Sequence, residues 1–295
     1  MQAMDGTLIE TVTEDKLVLQ GIYSGARDVK KVVLHMHGFE GNFYENKFVG
    51  FVGRALVARK IGFLTGNTRG AEKIKVFRTS DDEYVTLGAR YERLEDAYLD
   101  IDSWIEAIDK ICKNKVEIVL QGHSLGTMKV VRYLKEGKYR DRVKGLILLA
   151  PFDKNAYLRK MTNKSIEELL DLAQKQIDQG RGRILFDSVP EEERMSAVTF
   201  VSWYGQDDLG RVFDFGNKGY DFAALSEIEV ATLVAVSRDD EFFHPSNPSN
   251  PEEAKAIFEK YIKQVQTKLF TDGGHGFGNR EEELGDLVGD FVSKL

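Results

Sequence analysis

Three side chains that can together activate a hydroxyl are spread along this sequence. They are Ser124 within Gly122-His123-Ser124-Leu125-Gly126, an acid from the run Asp239-Asp240-Glu241, and His275 among Gly273, Gly274 and Gly276. A serine hydroxyl is a weak nucleophile at neutral pH. It needs a base within hydrogen-bond reach, and the base needs a carboxylate to orient it. His275 is the expected base, because glycines on both sides let its loop swing the imidazole over to the serine. Asp240 is the expected carboxylate, ahead of Asp239 and then Glu241. Only one of three adjacent acids can face the ring, and a solvated surface patch is the default for such a run. Acyl transfer also needs donors for a developing oxyanion. The backbone N–H groups of Leu125, directly after the serine, and of Phe39, directly after His37-Gly38, are the natural pair. His37, Gly38, His123, Trp203 and Tyr204 are the candidate substrate-binding residues.

The elements around these residues must bring them to one place. G-x-S-x-G arises by chance, so its flanks decide. Before it, Val116, Ile118, Val119 and Leu120 read as a buried strand; after it, Met128, Val130, Val131, Tyr133 and Leu134 are spaced like the inner face of a helix, which Gly137 is placed to stop. A strand that turns at once into a helix strains the apex residue and calls for small residues two positions either side of it.

Apolar runs predict further strands over 7–13, 16–24, 31–37, 61–66, 145–150, 230–236 and 266–270, the first two an edge hairpin. Helical spacing predicts helices over 48–59, 92–111 (acids on its outer face), 252–263 and 281–294. Residues 71–89 read as polar and irregular, with Asp81-Asp82-Glu83 a solvated loop, and 247–251 as a loop with two helix-breaking prolines. Alternating strands and helices make an α/β protein: an eight-stranded, mostly parallel sheet with helices on both faces. Alternation stops at Pro151 and resumes at Val230. The core is therefore expected over 1–151 and 230–295, with a cap inserted over 152–229. The cap holds helical patterns at 165–179 and 191–204 and an aromatic supply in Trp203, Tyr204, Phe213, Phe215, Tyr220 and Phe222. In an open parallel sheet ligands gather beyond the carboxyl ends of the strands. His37-Gly38-Phe39, Ser124, the acidic run and His275 all directly follow an apolar run, which is the stronger argument for a shared site.

Composition bounds the partners. A net charge of -7 argues against nucleic acid or an anionic membrane as main partner. No apolar run approaches the ~20 residues of a membrane span, and the first residues lack the pattern of a secretory leader, so a cytoplasmic protein is expected. Cys112 is the single cysteine, so no internal disulfide can form, and it is read as a small buried residue. The pair His35 and His37 lacks the following Asp/His ligands of a hydrolytic metal centre, so no metal and no cofactor is expected. His244 lies four residues past Asp240, too close in sequence to be the histidine that Asp240 orients, and it is left as a residue that could line the site.

At this point the chain resembles the α/β-hydrolase superfamily over its whole length. The resemblance is carried by His37-Gly38-Phe39, Asn67-Thr68-Arg69-Gly70, Gly122-His123-Ser124-Leu125-Gly126, the acidic turn at Asp240 and Gly274-His275-Gly276. It implies a triad of Ser124, Asp240 and His275 beneath a cap that shapes the substrate pocket. Two departures stand out: Ser237 opens the acid turn where relatives carry Gly, and Asn67 stands where many carry Asp. Locally, residues 91–105 and GHSLGTMKVV look similar to fungal siderophore-ester hydrolases of the fusarinine type, and residues 37–42 to hydroxycinnamoyl esterases. The resemblance implies a serine carboxylester hydrolase acting through an acyl-enzyme on a small ester with an aromatic or apolar acyl group. The alternatives are an acyltransferase or peptidase using the same triad, or a non-catalytic receptor.

Overall fold

The computed structural model describes residues 4–205, 210–217, 219–243 and 250–295. Its strands are β1 (Thr7–Val12), β2 (Val18–Ser24), β3 (Lys31–Met36), β4 (Gly62–Gly66), β5 (Lys75–Arg78), β6 (Tyr84–Leu87), β7 (Glu117–His123), β8 (Val143–Leu149), β9 (Ala231–Ser237) and β10 (Val265–Phe270). Eight of them form one sheet in the order β1-β2-β4-β3-β7-β8-β9-β10. β1 and β2 pair antiparallel, β2 joins β4 antiparallel, and every later pairing is parallel.

The central strands are mostly apolar, as strands covered on both faces are; the buried polar pair His35 and Gln121 on β3 and β7 lies 2.8 Å apart. On β3, β7, β8 and β9 alternate residues enter two separate cores. Val33, Val119, Ile147, Leu149 and Leu233 meet α1 (Lys47–Ala58) and α9 (Glu281–Lys294) on one face. Val32, Leu34, Ile118, Leu120, Leu146 and Val234 meet α2 (Ala97–Ile111), α3 (Leu125–Glu136) and α8 (Pro251–Tyr261) on the other. Four further helices, α4 (Lys154–Met161), α5 (Ile166–Asp178), α6 (Ala197–Tyr204) and α7 (Ala223–Ser226), fill the insert between β8 and β9. No helix among the described residues is long and apolar enough to cross a membrane.

The structure departs from the sequence reading in several places. Residues 71–89 are not irregular: β5 and β6 pair as a small antiparallel hairpin, with the acids 81–83 at its exposed turn. Pro251 is not a breaker but the first residue of α8, with Asn250 capping the Glu253 amide at 2.8 Å, a position where the missing proline N–H costs nothing. The helix expected over 191–204 is a short 3-10 turn at Glu191–Glu193 followed by α6. Asp100 on α2 is not on an outer face; it is fully buried and chelates Arg69, whose Nη2 lies 2.9 Å away. Gly137 does end α3 as expected, in an extended conformation with φ -67° and ψ 144°. Glycine is required there because a Cβ would lie 2.4 Å from the Tyr133 ring.

Candidate active site

Ser124 sits between β7 and α3 with φ 54° and ψ -125°, a conformation costing a non-glycine residue about 1–3 kcal/mol. The surroundings hold it there. Ser124 N–H donates to the Leu149 carbonyl at 2.9 Å, extending the β7–β8 pairing, and the Ser124 carbonyl accepts from Thr127 N–H at 2.9 Å. Neither motif glycine tolerates a side chain. A Cβ on Gly122 would lie 2.3 Å from the Gly126 carbonyl oxygen, and one on Gly126 would lie 2.2 Å from that of Met36. Because the obstacle is main chain on β3, Gly126→Ala is expected to cost about 3 kcal/mol. It should read as a thermal midpoint lowered by several degrees; an unchanged midpoint would mean the β3–α3 approach is looser than described.

The acidic run and the histidine loop are joined residue by residue. Asp240 is 2 % exposed; its Oδ2 lies 2.9 Å from His275 Nδ1 and its Oδ1 accepts from Phe242 N–H at 3.0 Å. Asp239 accepts from the Gly273 and Gly274 amides at 3.2 and 2.9 Å, and Glu241 Oε2 from the His275 amide at 3.0 Å. Only Asp240 is withdrawn from solvent: it takes the ring, while the exposed Asp239 and Glu241 take the backbone that carries it. Ser237, the departure from the family pattern, closes β9 fully buried, and its carbonyl accepts from Asp240 N–H at 3.3 Å.

His275 and Ser124 line one cavity of about 440 Å³. Among the described residues His275 Nε2 has no hydrogen-bond partner. His123, expected at the substrate, also lines this cavity, but its Nε2 donates to the His275 carbonyl at 2.8 Å and so anchors the base's backbone. Burial, with His275 beside it, lowers the His123 pKa to about 3, which keeps it a neutral donor.

His37, expected at the substrate, does not line the cavity. It is fully buried behind the cavity, where its Nε2 accepts from Thr68 N–H at 2.9 Å and its Nδ1–H donates to the Gly38 carbonyl at 2.8 Å. In a trans peptide the carbonyl and the following N–H point in opposite directions, and the described chain has no cis bond. Pulling the Gly38 carbonyl back toward His37 therefore turns the Phe39 N–H the other way. Gly38 itself lies against the nucleophile, since a Cβ there would come 3.3 Å from Ser124 Oγ. Among the described residues neither the Phe39 amide nor that of Leu125, the first residue of α3, has an acceptor.

The insert closes the cavity. Trp203 and Tyr204 line it as expected, Trp203 edge-on to Phe39 at 5.2 Å and tied by Nε1 to the Glu92 carbonyl at 3.1 Å. Phe213 and Phe215 instead seat the insert on α8 through Phe258, with centroids 5.9 and 5.4 Å away. Phe152, Tyr157, Phe242, Glu40, Glu45 and Glu193 also line the cavity. Sequence reasoning passed over Phe152 and Phe242, although both follow strand ends. His244, Asn247, Pro248 and Ser249 lie outside the described residues.

Comparison with known proteins agrees with this architecture. A bacterial protein, Est1E from Butyrivibrio proteoclasticus, whose structure was solved with ferulic acid bound, superposes with a TM-score of 0.64 at 16% identity, covering 96% of this chain and 98% of that one. The Pyrococcus furiosus esterase Pf2001 gives 0.61 at 14% identity over 99% and 93% of the two chains. The esterase EaEST from Exiguobacterium antarcticum gives 0.58 at 17% identity over 97% and 99%. None of the curated proteins matches the sequence. A family model does, over residues 83–277, which takes in the strained serine, the acidic run and the histidine. With an α/β-hydrolase fold, the chain belongs to the family described as protein of unknown function DUF1749.

Proposed function

We infer that this chain is a serine carboxylester hydrolase. The observation that carries the reading is the state of His275: Nδ1 is engaged by Asp240 at 2.9 Å, while Nε2 has no partner among the described residues in a cavity that Ser124 also lines. Ser124 Oγ attacks the ester carbonyl and gives its proton to His275 Nε2. The Phe39 and Leu125 amides receive the oxyanion. The tetrahedral species collapses, the C–O bond breaks, and the alcohol leaves with the proton from Nε2. Water then repeats the sequence on the acyl-enzyme, releasing the acid and freeing Oγ. A fluorophosphonate should form one covalent adduct, on Ser124, detectable by mass spectrometry. Absence of the adduct would favour a receptor that keeps the fold without the chemistry.

The substrate is a small ester with an aromatic or apolar acyl group. Phe39, Phe152, Tyr157, Trp203, Tyr204 and Phe242 supply the flat apolar walls, and the structural likeness to a protein solved with ferulic acid supports a planar acyl group. Away from Ser124 and the histidines, the polar lining holds three acids, Glu40, Glu45 and Glu193, against one cation. The cation there, Lys154, already donates to Asn155 Oδ1 at 3.1 Å and lies over the Tyr204 ring at 4.4 Å. Burial, with Glu40 nearby, pushes the Glu193 carboxyl up to about 7. It is mostly neutral below that pH and charged above it. Esters bearing a free carboxylate should therefore be the poorest substrates, and their handicap against the matching neutral ester should widen from pH 6 to pH 8. Equal kcat/KM for the two at both values would remove the carboxylates from specificity.

A further inference from the structure

The cavity lined by Ser124 and the nine-tenths buried His275 also holds negative charge that the chain does not balance. Glu40, directly after Phe39, lines it with an Oε1 that is shut off from solvent and accepts no hydrogen bond among the described residues. The cation paired with it, Lys73, keeps its Nζ 3.7 Å from that oxygen and is 46 % exposed, too far for a hydrogen bond and too wet to contribute much. A carboxylate oxygen buried without a donor costs free energy, so a partner from outside the chain is favoured there. Glu193 lines the same cavity and makes no side-chain hydrogen bond or ion pair among the described residues. It is close enough to Glu40 for the Glu40 charge to oppose its own. Tyr157 and Tyr204 stand beside it: burial raises both phenols, and the Glu193 charge raises them further. Three carboxylates, Glu40, Glu45 and Glu193, thus meet two ammonium groups, Lys154 and Lys73, and one negative charge is left over among the described residues.

Resting on the esterase reading above, we propose that the cavity takes esters whose alcohol part carries one ammonium-type cation, received by Glu193 and Glu40 and by the aromatic rings beside them. The apolar walls are left to the acyl group, so the cation falls to the alcohol. An ammonium over a ring face is attracted by the ring quadrupole, and the two carboxylates add a Coulomb attraction that a partly closed cavity screens less than bulk water does. The chain makes the first of these contacts itself, with Lys154 Nζ 4.4 Å from the Tyr204 ring centroid. A substrate cation offsets the repulsion between Glu40 and Glu193 and gives the Glu40 oxygen its missing counterpart, whereas a neutral alcohol leaves both costs in place. The chemistry is otherwise unchanged: the same ester C–O bond breaks, and the cationic alcohol leaves with the proton from His275 Nε2.

The test needs two esters of one acid that differ only in charge. Benzoylcholine and 3,3-dimethylbutyl benzoate have the same shape, and the choline charge does not titrate. At pH 8 the full chain should hydrolyse the choline ester with kcat/KM at least tenfold above that of the neutral one. In Glu193→Gln, and separately in Glu40→Gln, that ratio should fall at least threefold. Glu167→Gln, which removes an exposed charge from α5 of the same insert, should leave the ratio as it was. Binding of benzyltrimethylammonium, followed by tryptophan fluorescence in the Ser124→Ala variant, needs no turnover; it should saturate, and weaken at least threefold when Glu193→Gln is added. A ratio near one, or a ratio that falls as far in Glu167→Gln as in Glu193→Gln, would overturn the proposal, with water alone satisfying the carboxylates. Saturable binding of the ammonium with no hydrolysis of either ester would instead sink the esterase reading and leave the cation site standing.

Discussion

Ser124→Ala should cut turnover of short aryl esters by roughly 10⁴–10⁶ while leaving their binding nearly intact. The substitution removes one oxygen from a residue that is 8 % exposed, and the backbone contacts that hold position 124 do not involve it. Walls and oxyanion donors stay where they are, so a residual rate above that of water is expected. Active-site titration and steady-state kinetics on purified parent and variant measure this directly. A variant retaining even a tenth of the parental kcat would place the nucleophile elsewhere.

Asp240→Asn should cost almost as much, roughly 10⁴ in kcat. An asparagine can turn its N–H₂ toward His275 Nδ1, which then has to accept. The ring proton moves to Nε2, where it blocks receipt of the serine proton. Asp239→Asn is the control, because an amide oxygen can still accept from the Gly273 or Gly274 amide. Losing one such contact is worth about 1 kcal/mol, so at most a tenfold loss is expected. The reverse ranking would exchange the roles of the two acids.

That ranking could be anticipated only in part from the amino acids themselves. Strand-end placement was legible because apolar runs and the residue after each are local features. This is why Ser124, Asp240 and His275 could be singled out, and why the eight-stranded sheet emerges as expected. The partners of Asp239 and Glu241 are amides some 34 residues further on, and no local pattern marks a backbone group. His37 misled for a related reason. A histidine ending a strand can face the cavity or turn behind it, and the choice here is made by the Thr68 amide, 31 positions away. Charges on amphipathic helices are read as outward by default, which hid the burial of Asp100 and of Lys129. The β5–β6 hairpin was missed because its strands are only four residues long and largely exposed, too short for an alternating pattern to stand out.

One consequence of the strand order concerns deletion and grafting. β8 and β9 are parallel neighbours in register, Gly145 beside Ala231 and Leu149 beside Ala235. The chain that leaves the far end of one must travel back to the near end of the next, roughly 20 Å at about 3.3 Å per residue. The segment bearing Trp203 and Tyr204 is thus also the return path that makes this parallel pairing possible, a connection of a dozen residues or more. Trimming it to a tight turn would unstitch the sheet next to the strand that presents Asp240. Chimeras that exchange this roof for another must bring a span of the same reach.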